Sequence, residues 1–212
     1  MNFKYFRAGS VVPFIAILAI ISNIIYLNID STLIHYPILK LVSSYLPLLS
    51  VLGIMFLILN WMNMHLWKYS LTNLIIKIPN LNGRYEGSMI SSYLDDNGNR
   101  IKMVCVMEII QNASKVHINT YIGRGENESS TSETICEELV LETNNIYTLY
   151  YNYKNVSDLQ VELNDHKGTA YLSYFPDKKC LKGNYFNERK NNGEIKVFFK
   201  SNNLIGRFNE KL

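Results

Sequence analysis

Tyrosines and a few bases are the side chains with chemistry to offer in this chain. Of the 15 tyrosines in its 212 residues, the ten from Tyr85 onward fall in segments that alternate polar and apolar residues. A phenol ring stacks on flat heteroaromatic rings, a contact that contributes about 1–3 kcal/mol per base. Tyrosine also favours strands, so most of the ten are expected to pack a sheet. Arg84, Arg124, Lys182 and Arg189 are the cations singled out as holders of a phosphate. Taken one at a time, a solvated surface position is the simpler account of each. The set expected to bind a ligand is Arg84, Asn119, Tyr121, Arg124, Tyr151, Tyr171, Lys182, Asn187 and Arg189.

Catalytic signatures are absent from the sequence. The four histidines (His35, His65, His117 and His166) are scattered, and none has a Cys or carboxylate partner at metal-ligand spacing. There is no Gly-x-Ser-x-Gly, no phosphate loop and no zinc deaminase pattern. Asp95-Asp96 sits among turn residues, where a solvated role is expected. No enzymatic activity, no metal and no cofactor are therefore expected.

The elements that must position these residues are of two kinds. No charged residue occurs from Val11 to Leu27 or from Leu41 to Trp67. Each run is about as long as a bilayer-spanning helix, which takes roughly 17–25 apolar residues. Residues 1–68 are accordingly read as two transmembrane helices, 69–79 as a linker and 80–212 as a β domain. Residues 1–68 hold four basic residues and one acid, and 69–212 hold 17 of each. A neutral β domain is a poor grip for long nucleic acid, which needs a basic stripe.

Lys4 and Arg7 precede the first run, and Lys68 and Lys77 follow the second, so both termini are expected in the cytoplasm. Three cysteines, odd in number and widely spaced, agree with a reducing compartment. The first run is long for a cleaved signal peptide and lacks a clean small-x-small end, so two retained helices are expected; were it cleaved, the second run would remain as an anchor and the β domain would face outward. Asn23, Asn60 and Asn63 are amides within the apolar runs, which should face other helices. Trp61 and Trp67 suit the membrane interface.

After the linker the pattern is all strand. The expected strands are Gly83–Leu94, Ile101–Gln111, Lys115–Gly123, Thr134–Thr143, Ile146–Tyr153, Asp158–Asn164, Thr169–Phe175, Cys180–Asn187 and Glu194–Ser201. Asp95-Asp-Asn-Gly98, Thr143-Asn-Asn145 and Asn191-Asn-Gly193 mark turns. Gly123 to Ser132 reads as a polar loop at one mouth. Eight or nine sequential hairpin strands favour a closed antiparallel, up-and-down barrel over a sandwich. A barrel of about eight strands has room for one small ligand.

Two apolar runs lead into Ile78-Pro-Asn-Leu-Asn-Gly-Arg-Tyr-Glu-Gly87, and the β-rich tail ends Lys182-Gly-Asn-Tyr-Phe-Asn-Glu-Arg189 and Gly193-Glu-Ile-Lys-Val-Phe-Phe199. This order resembles the two-transmembrane, β-strand-rich effectors of bacterial CBASS anti-phage operons, the membrane-spanning CD-NTase-associated proteins. Gly83-x-Tyr85 is also similar to the Gly-x-Trp opening strand of lipocalin barrels, which would make Tyr85 a structural plug. The resemblance implies a lipocalin-like β-barrel that binds a cyclic dinucleotide, the second messenger of a partner nucleotidyltransferase. It implies that binding drives the helices to oligomerise in the inner membrane, which is disrupted in abortive infection. Its partners would be the nucleotide, membrane lipid and further copies of the chain. A membrane-anchored, lipocalin-like carrier of a small hydrophobic ligand is the alternative, and a packed structural anchor the third reading.

Overall fold

The computed structural model describes residues 3–33, 50–125, 127–157 and 165–208. The chain divides into two compact units, Met1–Ile78 with Asn112–Ser114, and Pro79–Gln111 with Lys115–Leu212.

The first unit is helical. α1 (Ala8–Leu33) is 26 residues long and continues through Pro13. Its stretch Ala8–Ile29 is long and apolar enough to cross a bilayer. The second apolar run gives α2 (Val51–Met64), 14 residues, opened by Ser50, whose Oγ accepts from Gly53 N at 3.0 Å. At 1.5 Å per residue that is about 21 Å, short of a hydrocarbon core about 30 Å thick. One helix rather than two thus meets the length of a span among the described residues; positions 41–49 of the expected second helix lie outside them. Phe6, Leu18, Leu59, Met62, Trp67, Ile76 and Ala113 form this unit's buried cluster. Trp67, expected at the membrane interface, is sealed in that cluster, while Trp61 is exposed. Of the three amides, Asn63 turns inward: its Oδ1 accepts from Ser114 Oγ at 2.6 Å, and its backbone carbonyl accepts from Ala113 N at 3.1 Å. Asn23 and Asn60 lie on exposed helix faces.

The second unit is a closed barrel of eight antiparallel strands in sequential order. They are β1 (Gly83–Leu94), β2 (Arg100–Gln111), β3 (Val116–Arg124), β4 (Asn127–Leu141), β5 (Tyr147–Ser157), β6 (His166–Phe175), β7 (Cys180–Asn187) and β8 (Asn192–Ser201). Closure by the β1–β8 ladder, Tyr85 opposite Phe199 and Met89 opposite Ile195, leaves no free edge and decides against a sandwich. The expected loop Gly123–Ser132 is largely strand: β4 begins at Asn127, and its Ser130 and Ser132 pair with Ile122 and Thr120. The expected strand Asp158–Asn164 lies outside the described residues.

Alternation sets two faces on every strand. Inward come Tyr85, Met89, Met107, Ile109, Leu149, Leu172, Leu181 and Val197, sealed from solvent. Most of these fill the end at which the chain enters β1, where Tyr85 packs edge-to-face on Phe199 at 5.6 Å between ring centres. Two glycines let strands approach there: a Cβ on Gly87 would lie 2.1 Å from Lys196 O, and one on Gly183 1.9 Å from Tyr171 O. One end of the barrel is therefore solid. The opposite end, where β1 turns to β2 and β7 to β8, is hollow.

Candidate functional site

The hollow end is a cavity of about 260 Å³. Its floor is Met89, Met103, Thr120, Tyr151 and Ile195, and its walls include Tyr153, Asn155, Tyr185 and Ser132. Arg124, His166, Asn187, Arg189 and Asn191 stand toward the mouth. Each wall residue comes from the inward parity of its strand, as the pairs Tyr151–Ala170, Tyr153–Gly168 and Asn155–His166 show. A Cβ on Gly168 would sit 2.3 Å from Tyr153 Oη, so that glycine makes room for the ring.

The three inner phenols are held neutral. Burial raises the Tyr151 hydroxyl far above its ordinary value, against a smaller opposing effect of the hydrogen bond to Thr120. Burial does the same for Tyr153. Tyr185 is also raised by burial, opposed by hydrogen bonds to Ser91 and Asn191. At neutral pH all three are O–H donors as well as flat apolar faces.

A polar web fixes the mouth. Asn191 Oδ1 accepts from Ser91 Oγ at 3.0 Å and Ser92 Oγ at 2.6 Å, while its Nδ2 donates to Tyr185 Oη at 3.3 Å. Asn187 Oδ1 accepts from the backbone N–H groups of Arg189 and Asn191, both at 3.1 Å, which curls the β7–β8 turn inward. Asn187 Nδ2 lies 3.3 Å from His166 Nε2. Arg189 Nη2 is buried yet has no hydrogen-bond partner among the described residues. A buried guanidinium nitrogen left unbonded is costly, so it marks a place for an acceptor. No carboxylate is among the described residues lining the cavity, so nothing in that lining neutralises Arg124 and Arg189. No group of His, Cys, Asp and Glu able to hold a metal occurs among the described residues.

Residues 76–198 match the family model for the Cap15 cyclic dinucleotide receptor domain. That is more than half of the chain, and it runs from just before β1 into β8. The chain belongs to the Cap15 cyclic dinucleotide receptor family. It is also similar to CD-NTase-associated protein 15 of Yersinia aleksiciae, 26% identical over 180 residues, 82% of each chain.

In this Cap15-family barrel, four of the nine residues singled out from sequence come together in the cavity: Arg124, Tyr151, Asn187 and Arg189. The other five point outward. Arg84 is buried on the outer wall, bound to Glu108 at 2.9 Å and Glu86 at 2.8 Å. Asn119 Oδ1 meets His117 Nε2 at 3.1 Å on the outside of β3. Tyr121 packs with Val106 and Phe208 beneath the C-terminal tail. Tyr171 is stacked between Tyr150 and Phe186 on the outer wall, and its Oη accepts from Asn184 Nδ2 at 2.7 Å. Lys182 is exposed there. The cavity also takes in Tyr153, Tyr185, Asn155 and Asn191, which the sequence reading passed over. Tyr153 and Asn155 follow Tyr151 at the spacing of two that puts them on its face, a signal present in the sequence.

Proposed function

We propose that the barrel is the sensor of a CBASS effector and that its hollow end receives a cyclic dinucleotide. Such a ligand has flat bases and two phosphates. Tyr151, Tyr153 and Tyr185 offer ring faces and hydroxyl donors for a base, and Arg189, with Arg124 at the mouth, offers charge for the phosphates. The observation that carries the reading is the buried Nη2 of Arg189, unbonded among the described residues, beside a tyrosine-lined cavity with no carboxylate in its described lining. Family membership supports the same ligand class.

The output step is part of this proposal. α1 and the second apolar run anchor the chain in the bacterial inner membrane with both termini in the cytoplasm. Occupied barrels assemble, the clustered helices disrupt the bilayer, and infection aborts. A ligand drives assembly only through a higher affinity for the assembled state. The apolar floor of Met89, Met103 and Ile195 favours one rival, a lipocalin-like carrier of a small hydrophobic molecule.

Thermal unfolding of the full chain in neutral detergent separates the two. Cyclic di-AMP, cyclic di-GMP and cyclic UMP-AMP are titrated beside a fatty acid and a retinoid. A native-state binder stabilises by about 2.7 kcal/mol at a hundred times its dissociation constant. A concentration-dependent shift with one nucleotide is the expected result. A shift only with the apolar compounds would replace the receptor with a carrier.

A further inference from the structure

The outer wall of the barrel is sorted by charge. On β4, Glu128, Glu133 and Glu138 are exposed, with Ile135, 55% exposed, among them. Lys154, opposite Glu133 on β5, is drawn aside to Asp165 at 3.8 Å. On the far wall Lys182 of β7 and Lys196 of β8 are exposed and directly opposite each other. Like charges in that position destabilise a sheet. Glu86 does not relieve them, because Arg84 and Lys200 engage it. Glu194, two residues along β8, makes no ion pair among the described residues. Beside this pair, Ser88, Lys102, Val104, Lys196 and Phe198 line an outward concavity with no described carboxylate. Lys196 Nζ lies 5.2 Å over the Phe198 ring, and Phe198 and Val104 are partly exposed apolar groups between the cations.

In a closed eight-stranded barrel, β4 and β8 are four strands apart in either direction, so the two walls lie on opposite sides. We propose that occupied barrels join head to tail, the β4 wall of one copy seated on the β7–β8–β1 wall of the next. Carboxylates from Glu133 and Glu138 relieve the Lys182–Lys196 repulsion, and Ile135 meets Phe198. The occupant is a second copy because the same chain carries the complement in charge and in apolar centre. Unlike patches on opposite sides build an open-ended row rather than a closed pair. This deepens the assembly step of the receptor reading and rests on it.

Charge exchange tests it in the full chain in neutral detergent, by sedimentation velocity with each of the three cyclic dinucleotides. Two variants are made, Glu133→Lys with Glu138→Lys, and Lys182→Glu with Lys196→Glu. Each is expected to raise the protein concentration needed for assembly about a hundredfold, since juxtaposed like charges cost several kcal/mol. Mixed together, the two variants regain association, because each retains the wall the other needs. High salt weakens wild-type assembly. Unchanged assembly in either variant, or no recovery on mixing, overturns the interface. Loss of binding to phosphatidylglycerol vesicles by the lysine variant alone, with assembly intact, gives the basic wall to lipid instead and also overturns it. Thermal shifts with nucleotide are read on the same samples: shifts that persist while assembly ignores the charges sink the interface alone, and shifts absent from wild type sink the receptor reading.

Discussion

Arg84 and Glu108 face each other across β1 and β2 at 2.9 Å, both sealed from solvent on the outer wall of the barrel. They are covered by the C-terminal tail. Arg84 Nη1 and Nη2 donate to the carbonyls of Arg207 and Phe208 at 2.9 and 2.6 Å, and Glu108 accepts from the backbone N–H groups of Ile205 and Gly206 at 2.7 and 3.0 Å. The pair thus straps the tail to the wall and satisfies backbone groups that the sheet ladder does not reach. Breaking a buried pair from one side leaves an uncompensated charge, which costs about 3–5 kcal/mol. Arg84→Ala is expected to lower stability by that amount in urea titration. Arg84→Met combined with Glu108→Leu removes both charges but leaves the carbonyls of Arg207 and Phe208 and the N–H groups of Ile205 and Gly206 without these partners, so it is expected to stay well below the wild type.

Arg189 should behave in the opposite way. Its Nη2 has no hydrogen-bond partner among the described residues, so removing it leaves nothing unsatisfied among them. Arg189→Ala is expected to keep or slightly raise the unfolding temperature of the free protein, since it removes a costly unbonded group. It should weaken nucleotide binding about 10- to 100-fold, the range for a hydrogen bond to a charged group. Arg189→Lys should fall between, since an ammonium keeps the charge but not the planar fork. Calorimetric titration of the three proteins checks the order; wild-type affinity in the alanine variant would remove Arg189 from the site.

The barrel was legible because the strands alternate and the turns carry Asp, Asn and Gly. Which tyrosines face inward was less so. A mixed polar and aromatic interior expected along whole strands points to Asn119 and Tyr121. In β3 the inward face is Val116, Ile118, Thr120 and Ile122, because Thr120 lies opposite inward Met107 and alternation then sends Asn119 and Tyr121 to the outer wall. Tyr171 and Lys182 fell outside for the same reason of parity. Arg84 is settled by a tail more than a hundred residues away, a contact that no local pattern encodes. The second membrane helix was read from hydropathy alone, and α2 covers only its latter part among the described residues.

Gly183 tests the close approach of β6 and β7. A Cβ there would lie 1.9 Å from Tyr171 O, a backbone atom that cannot swing aside. Gly183→Ala forces the two strands apart, and overpacking of this kind costs typically about 1–3 kcal/mol. The expected result is a lower unfolding temperature with a parallel loss of nucleotide affinity, because Tyr185 and Asn187 follow on the same strand. Gly98 has open space around it and serves as the control for position, with a positive φ of 78° as its own constraint. An unchanged Gly183→Ala barrel would mean that the strands give way freely.

Alkaline pH should undo the barrel before neutral or mildly acid pH does. Burial pushes the Cys105 thiol up to about 12 from its ordinary 9.0. It also raises the phenols of Tyr85, Tyr151 and Tyr153 above their ordinary value. A group whose value is higher in the folded than in the unfolded chain gives stability that is complete below the unfolded value. That stability is lost as pH climbs through the folded one. For Cys105 the window runs from about 9 to 12, and within it each such group reduces stability by about 1.4 kcal/mol per pH unit. Unfolding free energy measured from pH 7 to 11 should be level to about pH 9 and then fall with a steepening slope as the phenols join. Cys105→Ala is expected to be less stable at pH 7 through lost packing, yet to lose less between pH 9 and 10 than the wild type does. Thiol labelling gives an independent check: exposed Cys136 reacts at neutral pH while Cys105 stays protected until the barrel opens. A stability profile flat to pH 11 would show that the buried thiol and phenols ionise without opening the fold.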